Sequence, residues 1–274
     1  MRLATEGVFA SAVPQYACYR SGYPQDRVAH LAAQTGLDAA GWAVDIGCGS
    51  GQLTIPLARH VSRVVAIDPV PGMLVYGRAA AEAADVTNIE WVHGDSAMLA
   101  ELVAPGAEAA TFAASFHWTD RESVVEALDA LLAPAGSIVV INDDLDDVEQ
   151  PDWVHAIDDI RSRYAGLDPA PGALTNMPES HREVLERSAF SNVSRCTWSW
   201  TRQLDVEEVV GLHLTYSFST PARLGARLDE FCDEIRNALA SLRPGERVTE
   251  PFRVEVLIAT RPDRSRRPAA EFVM

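Results

Sequence analysis

Five residues in the first quarter of the chain, Asp45, Gly47, Gly49, Gly51 and Asp68, have types and spacing suited to holding a nucleotide-like ligand. In WAVDIGCGSGQ, residues 42–52, an apolar run stops at an acid and enters three alternating glycines. Glycine lets a backbone turn tightly and come close to a ligand. Leu53, Ile55, Leu57, Ala58 and Val61 then recur at roughly helical spacing. The free N–H groups at the start of such a helix point back at the loop. The next apolar run, RVVAID at 63–68, ends in Asp68, 23 positions after Asp45. A carboxylate that grips ribose hydroxyls is expected about 20 residues along.

The glycine order narrows the ligand. Dinucleotide-binding loops use GxGxxG and seat a pyrophosphate on the helix N-terminus. Here the order is GxGxG, with Asp45 two residues ahead of it. That carboxylate would repel a pyrophosphate but could pair, directly or through water, with an α-ammonium group. S-adenosylmethionine carries such a group and no phosphate.

The elements that must carry these residues read as strand and helix in alternation through residue 142. A buried strand leads into the glycine loop, and a helix begins near Gly51. Strands follow at 63–68, 89–94, 108–114 and 137–142, with helices at about 71–84, 97–103 and 120–133; the alanine-rich 108–114 is weak by propensity. This alternation predicts a parallel sheet covered on both faces, with ligands at the C-terminal strand ends, where Asp45, Asp68, Asp95 and Ser115 fall. Beyond residue 142 the pattern breaks into an acidic loop and an irregular helical insert at about 152–177, closed by Pro169, Pro171, Gly172 and Pro178. A helix is expected at 178–190, strands at 193–201 and 252–260, and helices near 205–217 and 221–242. The last strand alternates, as suits an edge or antiparallel pairing, and the tail after it reads as frayed.

Composition bounds the class. The 274 residues suit one large domain or a domain with an inserted cap. No stretch approaches the roughly 20 apolar residues of a membrane span, and the N-terminus lacks a signal-peptide core, so a cytoplasmic location is expected. Cys18, Cys48, Cys196 and Cys232 are scattered, without CxxC spacing, and read as reduced structural residues; no metal site is indicated. All 23 basic residues are arginine, and the net charge of −16 argues against a nucleic-acid substrate.

The motifs in order resemble a class I S-adenosylmethionine-dependent methyltransferase, in the small-molecule group that includes the trans-aconitate type. VDIGCGSGQLTIPLA is similar to its first motif, AIDPVPGMLVYGR to its second and HGDS to its third. ASFHWTD followed by LLAPAGSIVVIND is similar to the fourth and the strand after it. The resemblance covers residues 14–142 and thins to topology beyond. It implies an α/β fold with a doubly wound, mostly parallel seven-stranded Rossmann-like sheet, an antiparallel last strand and a helical insert. The implied segments are an N-terminal helical lid at 1–40, a cofactor core at 41–142, the loop and insert at 143–190, the remaining strands with substrate-side helices at 191–262, and the tail at 263–274.

The resemblance also implies roles. S-adenosyl-L-methionine would be the cofactor, with Asp45, Gly47 and Gly49 along its methionine portion and sugar, and Asp68 accepting both ribose hydroxyls. Met73 would pack on the adenine, Asp95 would accept its amino group, and Ser96 would border the ring; Ser115 is placed in the same pocket. YACYRSGYP is similar to a segment that closes over the methionine end. It makes Arg20 a partner for the cofactor carboxylate, with Tyr16 and Tyr19 as walls. His117 is the candidate base, or else shapes the pocket, and Trp118 adjoins it. Trp153, His155, Tyr164, His181, His213 and Tyr216 are the candidate acceptor contacts. The expected partner is a small acceptor from specialised metabolism, bound by a monomer or homodimer away from membranes. The acidic run Asp143, Asp144, Asp146 and Asp147 tilts the expectation modestly toward an amine over a hydroxyl or carbon acceptor. A cyclase using the sulfonium charge, a nicotinamide oxidoreductase and a non-catalytic binding protein are the competing readings.

Overall fold

Apolar runs too short for helices pair side by side into one seven-stranded sheet. The computed structural model describes residues 5–144, 148–164 and 179–262. Its strands are β1 (Trp42–Ile46), β2 (Arg63–Asp68), β3 (Ile89–His93), β4 (Ala107–Ala113), β5 (Leu132–Asp143), β6 (Asn192–Leu204) and β7 (Val248–Thr260). They lie in the order β3-β2-β1-β4-β5-β7-β6. The first five pair in parallel, and β7 runs antiparallel to both β5 and β6. The expected doubly wound, mostly parallel sheet with an antiparallel last strand is therefore present. The order reverses between β1 and β4, which is where such sheets bind ligands.

Two details go beyond the sequence reading. The alanine-rich β4 lies at the centre of the sheet, with Ala109, Ala110 and Phe112 wholly buried. Burial on both faces outweighs weak propensity there. Of the two placements expected for the last strand, the antiparallel one is found: β7 lies between β5 and β6, and β6 is the edge. Accordingly Val256, Leu257 and Ala259 of β7 are fully buried, whereas β6 buries only Trp198 and Leu204.

Helices α1 (Thr5–Phe9), α2 (Val13–Tyr19) and α3 (Gln25–Thr35) precede the sheet, and α4 (Thr54–Ala58), α5 (Pro71–Ala83), α6 (Leu99–Leu102) and α7 (Arg121–Leu131) connect its parallel strands. Phe112, Phe116, Leu128 and Phe190 fill the core on one face; Leu31, Leu57, Val139 and Trp198 fill the other. Helix α4 stops at Ala58, short of the expected Val61, because Asn88 Nδ2 donates to the Ala58 and Val61 carbonyls at 2.8 and 2.9 Å and diverts the chain toward β3.

The later helices form a cap. Helices α8 (Asp152–Tyr164) and α9 (His181–Glu186) precede β6, and α10 (Val206–His213), α11 (Pro221–Leu224) and α12 (Leu228–Leu242) lie between β6 and β7. Ile157, Val209, Phe231, Ile235 and Leu239 give α8, α10 and α12 a core of their own. The helix expected at 205–217 ends at His213, where the Ser219 hydroxyl takes the His213 carbonyl at 2.5 Å. The one expected at 221–242 is broken at Gly225, whose φ is +53°. Asp146, Asp147, Pro169, Pro171, Gly172, Pro178 and the tail 263–274 lie outside the described residues. Among the described residues no helix is long and apolar enough to cross a membrane.

The N-terminal helices join the cap through one close approach. A Cβ placed on Gly211 of α10 would lie 2.1 Å from the ring of Tyr19 on α2. Gly211→Val is expected to lower stability by about 1–3 kcal/mol through this overpacking, read as a lower urea midpoint with unchanged slope.

Candidate functional site

The glycine loop is shaped by the strand beside it. Gly47 and Cys48 both donate their N–H groups to the Ile67 carbonyl, at 2.8 and 3.0 Å. Gly49 donates to Asp68 Oδ2 at 2.8 Å, and Val70 N–H to Asp68 Oδ1 at 2.8 Å. To make these bonds Gly47 and Gly49 adopt φ of +71° and +56°, which side chains strain to reach. A Cβ on Gly47 would also sit 2.5 Å from Ser115 Cβ. Ser115 in turn donates to the Ile46 carbonyl at 2.5 Å, drawing the end of β4 against the loop.

Above the loop, at the C-terminal ends of β1, β2 and β4, opens a cavity of about 390 Å³. Gly47, Gly49, Asp68, Met73, Asp95, Ser96, Ser115, Tyr16 and Trp118 all line it, so nine of the residues singled out in the sequence share one space. Phe9, Thr119, Asp120 and Ser123 also line it and had no local signal. Phe9 meets Trp118 edge-on at 5.4 Å and Tyr16 at 6.2 Å, closing the mouth with aromatic rings.

The lining tests the expected cofactor. Three carboxyl groups, Asp68, Asp95 and Asp120, face the cavity, and among the described residues lining it none is basic. A pyrophosphate would find no counter-charge there, whereas a sulfonium and a ribose would find acceptors. Met73, Val70, Ile67 and Leu99 supply an apolar slot for a flat ring. Burial pushes the Asp68 carboxyl up to about 6, although the Val70 and Gly49 N–H groups pull it back. The Asp95 side chain already accepts from Ala97 N–H at 2.8 Å, which aims its carboxyl at the start of the next turn.

Other expected contacts are placed elsewhere. Asp45 is not on the wall: at 1% exposure its carboxylate accepts from Thr54 Oγ1 at 2.5 Å and Thr111 Oγ1 at 2.7 Å beneath the loop. Burial raises it to about 6 against those two hydrogen bonds, so it braces the loop from below. Tyr19 packs on Gly211 and presents only its carbonyl, to Arg202 Nη1 at 2.9 Å. Arg20 stands off the wall behind Tyr16, its guanidinium 5.4 Å from that ring and 4.4 Å from the ring of Tyr216.

His117 also lies off the wall. It stacks on His181 at 6.3 Å and 18°, with Asn142 alongside. Burial, with Arg121 adding to it, lowers His117 to about 4, and His181 is lowered to about 4 by burial, Arg121 and His117. Arg121 Nη1 meets His181 Nδ1 at 3.2 Å.

Of the remaining candidate acceptor contacts, Trp153 is buried and donates to the Thr249 carbonyl at 3.1 Å, and Tyr164 donates to Glu234 Oε1 at 2.6 Å; both hold the cap together. His155 is exposed on α8. His213 and Tyr216 are together, with ring centres 5.4 Å apart. Of the described acids in the run, Asp144 lies between Arg195 and Arg253 at 3.5 and 3.3 Å, whereas Asp143 is in the field of Arg20 without an ion pair.

If Asp68 accepts the ribose hydroxyls as a carboxylate, Asp68→Asn is expected to weaken S-adenosylhomocysteine binding by roughly 10- to 100-fold in calorimetry. The sign with pH follows from the raised value. Above about 6 Asp68 is charged and accepts fully, so wild-type affinity falls as pH drops through 6, and the asparagine variant lacks that fall.

Comparison with known proteins agrees with this geometry. Residues 43–136 match the methyltransferase domain family. An uncharacterized methyltransferase of Mycobacterium tuberculosis is 28% identical over 85% of this chain and 86% of its own. An uncharacterized methyltransferase-like protein of Schizosaccharomyces pombe is 24% identical over 83% of this chain and 86% of its own. The fold matches that of a SAM-dependent methyltransferase from Thiobacillus denitrificans, solved in complex with S-adenosyl-L-homocysteine, with a TM-score of 0.51 at 17% identity, covering 93% of this chain and 98% of that one. The nicotinamide reading falls with the absence of a basic side chain among the described lining and with these relatives. Residues 43–136 thus carry a methyltransferase domain, and a glycine loop beneath an acid-lined cavity with no basic side chain among its described lining, in a chain similar along most of its length to methyltransferases, is the arrangement of an S-adenosylmethionine-dependent methyltransferase.

Proposed function

We propose that the protein methylates a small organic molecule held between the cavity mouth and the cap formed by α8 and α10–α12. The observation that carries this reading is that one cavity is lined by Asp68, Met73 and Asp95 together with Tyr16, Ser115 and Trp118, and that Tyr16 connects to Tyr216, in the turn after α10, through the Arg20 guanidinium. In this reading Asp68 holds the ribose. Met73, Asp95 and Ser96 hold the adenine, and Gly47, Gly49 and Ser115 border the methionyl chain. Methyl transfer from a sulfonium is an in-line displacement, so alignment of donor and acceptor is the protein's main task. Tyr16, Phe9 and Trp118 exclude water from that line. The net charge of −16 supports a small acceptor over nucleic acid.

The amine preference rests on Asp143 alone among the described acids of the 143–147 run, because Asp144 lies between Arg195 and Arg253. His117 shapes the pocket in this reading, since it faces Asn142 and His181 and Arg121 opposes its protonation.

Transfer of labelled methyl groups from S-adenosylmethionine across a panel of phenols, carboxylic acids, amines and sugars tests the proposal. Turnover is expected on a small acceptor; labelled cofactor consumed without a methylated product would sink it. His117→Ala should lower that turnover by less than about tenfold, with no acidic limb near pH 6.5 in the wild-type profile. A loss of roughly 10² or more would give His117 the role of base instead.

A further inference from the structure

Where α8 meets the turn after α10, three buried polar atoms lack a hydrogen-bond partner among the described residues: His213 Nδ1, Thr220 Oγ1 and Arg161 Nε. His213 is 5% exposed and Thr220 0%. Buried polar groups left over after the protein's own partners are counted are matched in native proteins by water or ligand.

Two guanidiniums face them, with Glu250 and Asp143 the acids that also act on the shared ring of Tyr216. The Arg161 guanidinium lies 5.2 Å from the centre of the Tyr216 ring, and that of Arg20 lies 4.4 Å from the same centre. Two cations therefore share one tyrosine and stand beside one imidazole. Burial first, then Arg161 and Arg20, hold His213 down at about 3, so it is neutral at pH 7 and keeps one ring N–H that can donate. The acids nearby do not fill the gap. Asp158 takes Arg161 Nη1 at 2.6 Å from the half-exposed outer side, and Glu250 is engaged by Arg202. Asp143 contributes field to Arg20 without forming an ion pair with it. Arg20 uses only Nε, which donates to Thr215 Oγ1 at 2.8 Å. Its two terminal nitrogens have no acceptor among the described residues.

We propose that this cluster is the docking point of the acceptor and that it takes a carboxylate, held by Arg20 and Arg161 against His213. The inference rests on the methyltransferase reading and names the substrate class for it. A guanidinium presents parallel N–H bonds that match the two oxygens of a carboxylate. Tyr216 and Phe218, stacked 5.5 Å apart at 8°, add a flat wall for a conjugated or aromatic body. An amine would meet two like charges in the same place. The cofactor also owns a carboxylate, so the source of the anion is what the experiment must separate.

Wild-type protein saturated with S-adenosylhomocysteine is titrated with benzoate, benzamide and benzylamine by ligand-observed NMR. Benzoate is expected to bind at least about tenfold more tightly than the other two. Arg161→Met should weaken benzoate by roughly tenfold or more, Arg161→Lys should restore part of it, and both should keep the wild-type affinity for S-adenosylhomocysteine within about twofold. Three results overturn the proposal: benzylamine or benzamide binding as well as benzoate, no benzoate binding to the loaded protein, or benzoate affinity unchanged in Arg161→Met. Displacement of benzoate by S-adenosylhomocysteine also overturns it, by assigning the anion site to the cofactor. Failure of S-adenosylhomocysteine to bind wild type is a separate outcome, read before any acid is added, and it overturns the cofactor reading itself.

Discussion

The bond pattern between the Ile67–Asp68 backbone and side chain and the 47–49 loop is the constraint on which the site depends. One carbonyl takes two N–H groups, and one carboxylate takes a third. A loop held only by itself could adopt many turns; one tied to the next strand has its shape set by the register of β1 on β2, in which Asp45 faces Ala66 and Ile46 faces Ile67. The same register buries Asp45. Burying a carboxylate without partners would be costly. Thr54 from α4 and Thr111 from β4 supply the partners, and in doing so fasten the loop to the elements before and after it in the sheet. Glycine at 47 and 49 is then a requirement of sheet pairing as much as of ligand approach.

Much of the cofactor half was legible because its signals are local. The glycine spacing, the acid at each strand end and the apolar Met73 early in α5 are all set by chain positions only a few residues apart. Nine of the expected residues do reach one cavity. Phe9 was not legible, since its place opposite Trp118 depends on how the first helices fold back over the sheet. Asp45 was misread for an opposite reason. A carboxylate before a glycine loop looks available, and only the hydroxyls of Thr54 and Thr111 show that it is spoken for. Thr111 carried a faint signal, being a polar residue in the middle of the apolar run at 107–113.

The acceptor half resisted reading because its contacts are long-range. Trp153 and Tyr164 lie in a region of weak resemblance and Tyr19 near the start of the matched span, and for each of these aromatic residues a pocket role and a packing role looked alike. Gly211, Thr249 and Glu234, the residues that settle the matter, lie at distant points in the chain. Arg161 has an acid three residues before it, the pattern of an ordinary helix-surface charge. Its position over Tyr216 and Phe218 appears only when α8 and the turn after α10 are brought together. The two halves also differ in electrostatic character. The cofactor cavity shows carboxylates and no basic side chain among its described lining, while the cap beyond Tyr16 concentrates guanidiniums and aromatic faces.

The pairing of β6 with β7 ends at Leu204 opposite Val248. The chain therefore leaves the sheet and returns to it at neighbouring points, and everything between, α10 to α12, is a closed excursion. Lengthening, shortening or rewriting such an excursion leaves the hydrogen-bond ladder on either side intact. With the acceptor docked as proposed, substrate preference can drift through evolution by exchange of this one segment while the glycine-loop cavity stays fixed. A chimera that swaps residues 205–247 between relatives is the natural unit for moving specificity from one scaffold to another.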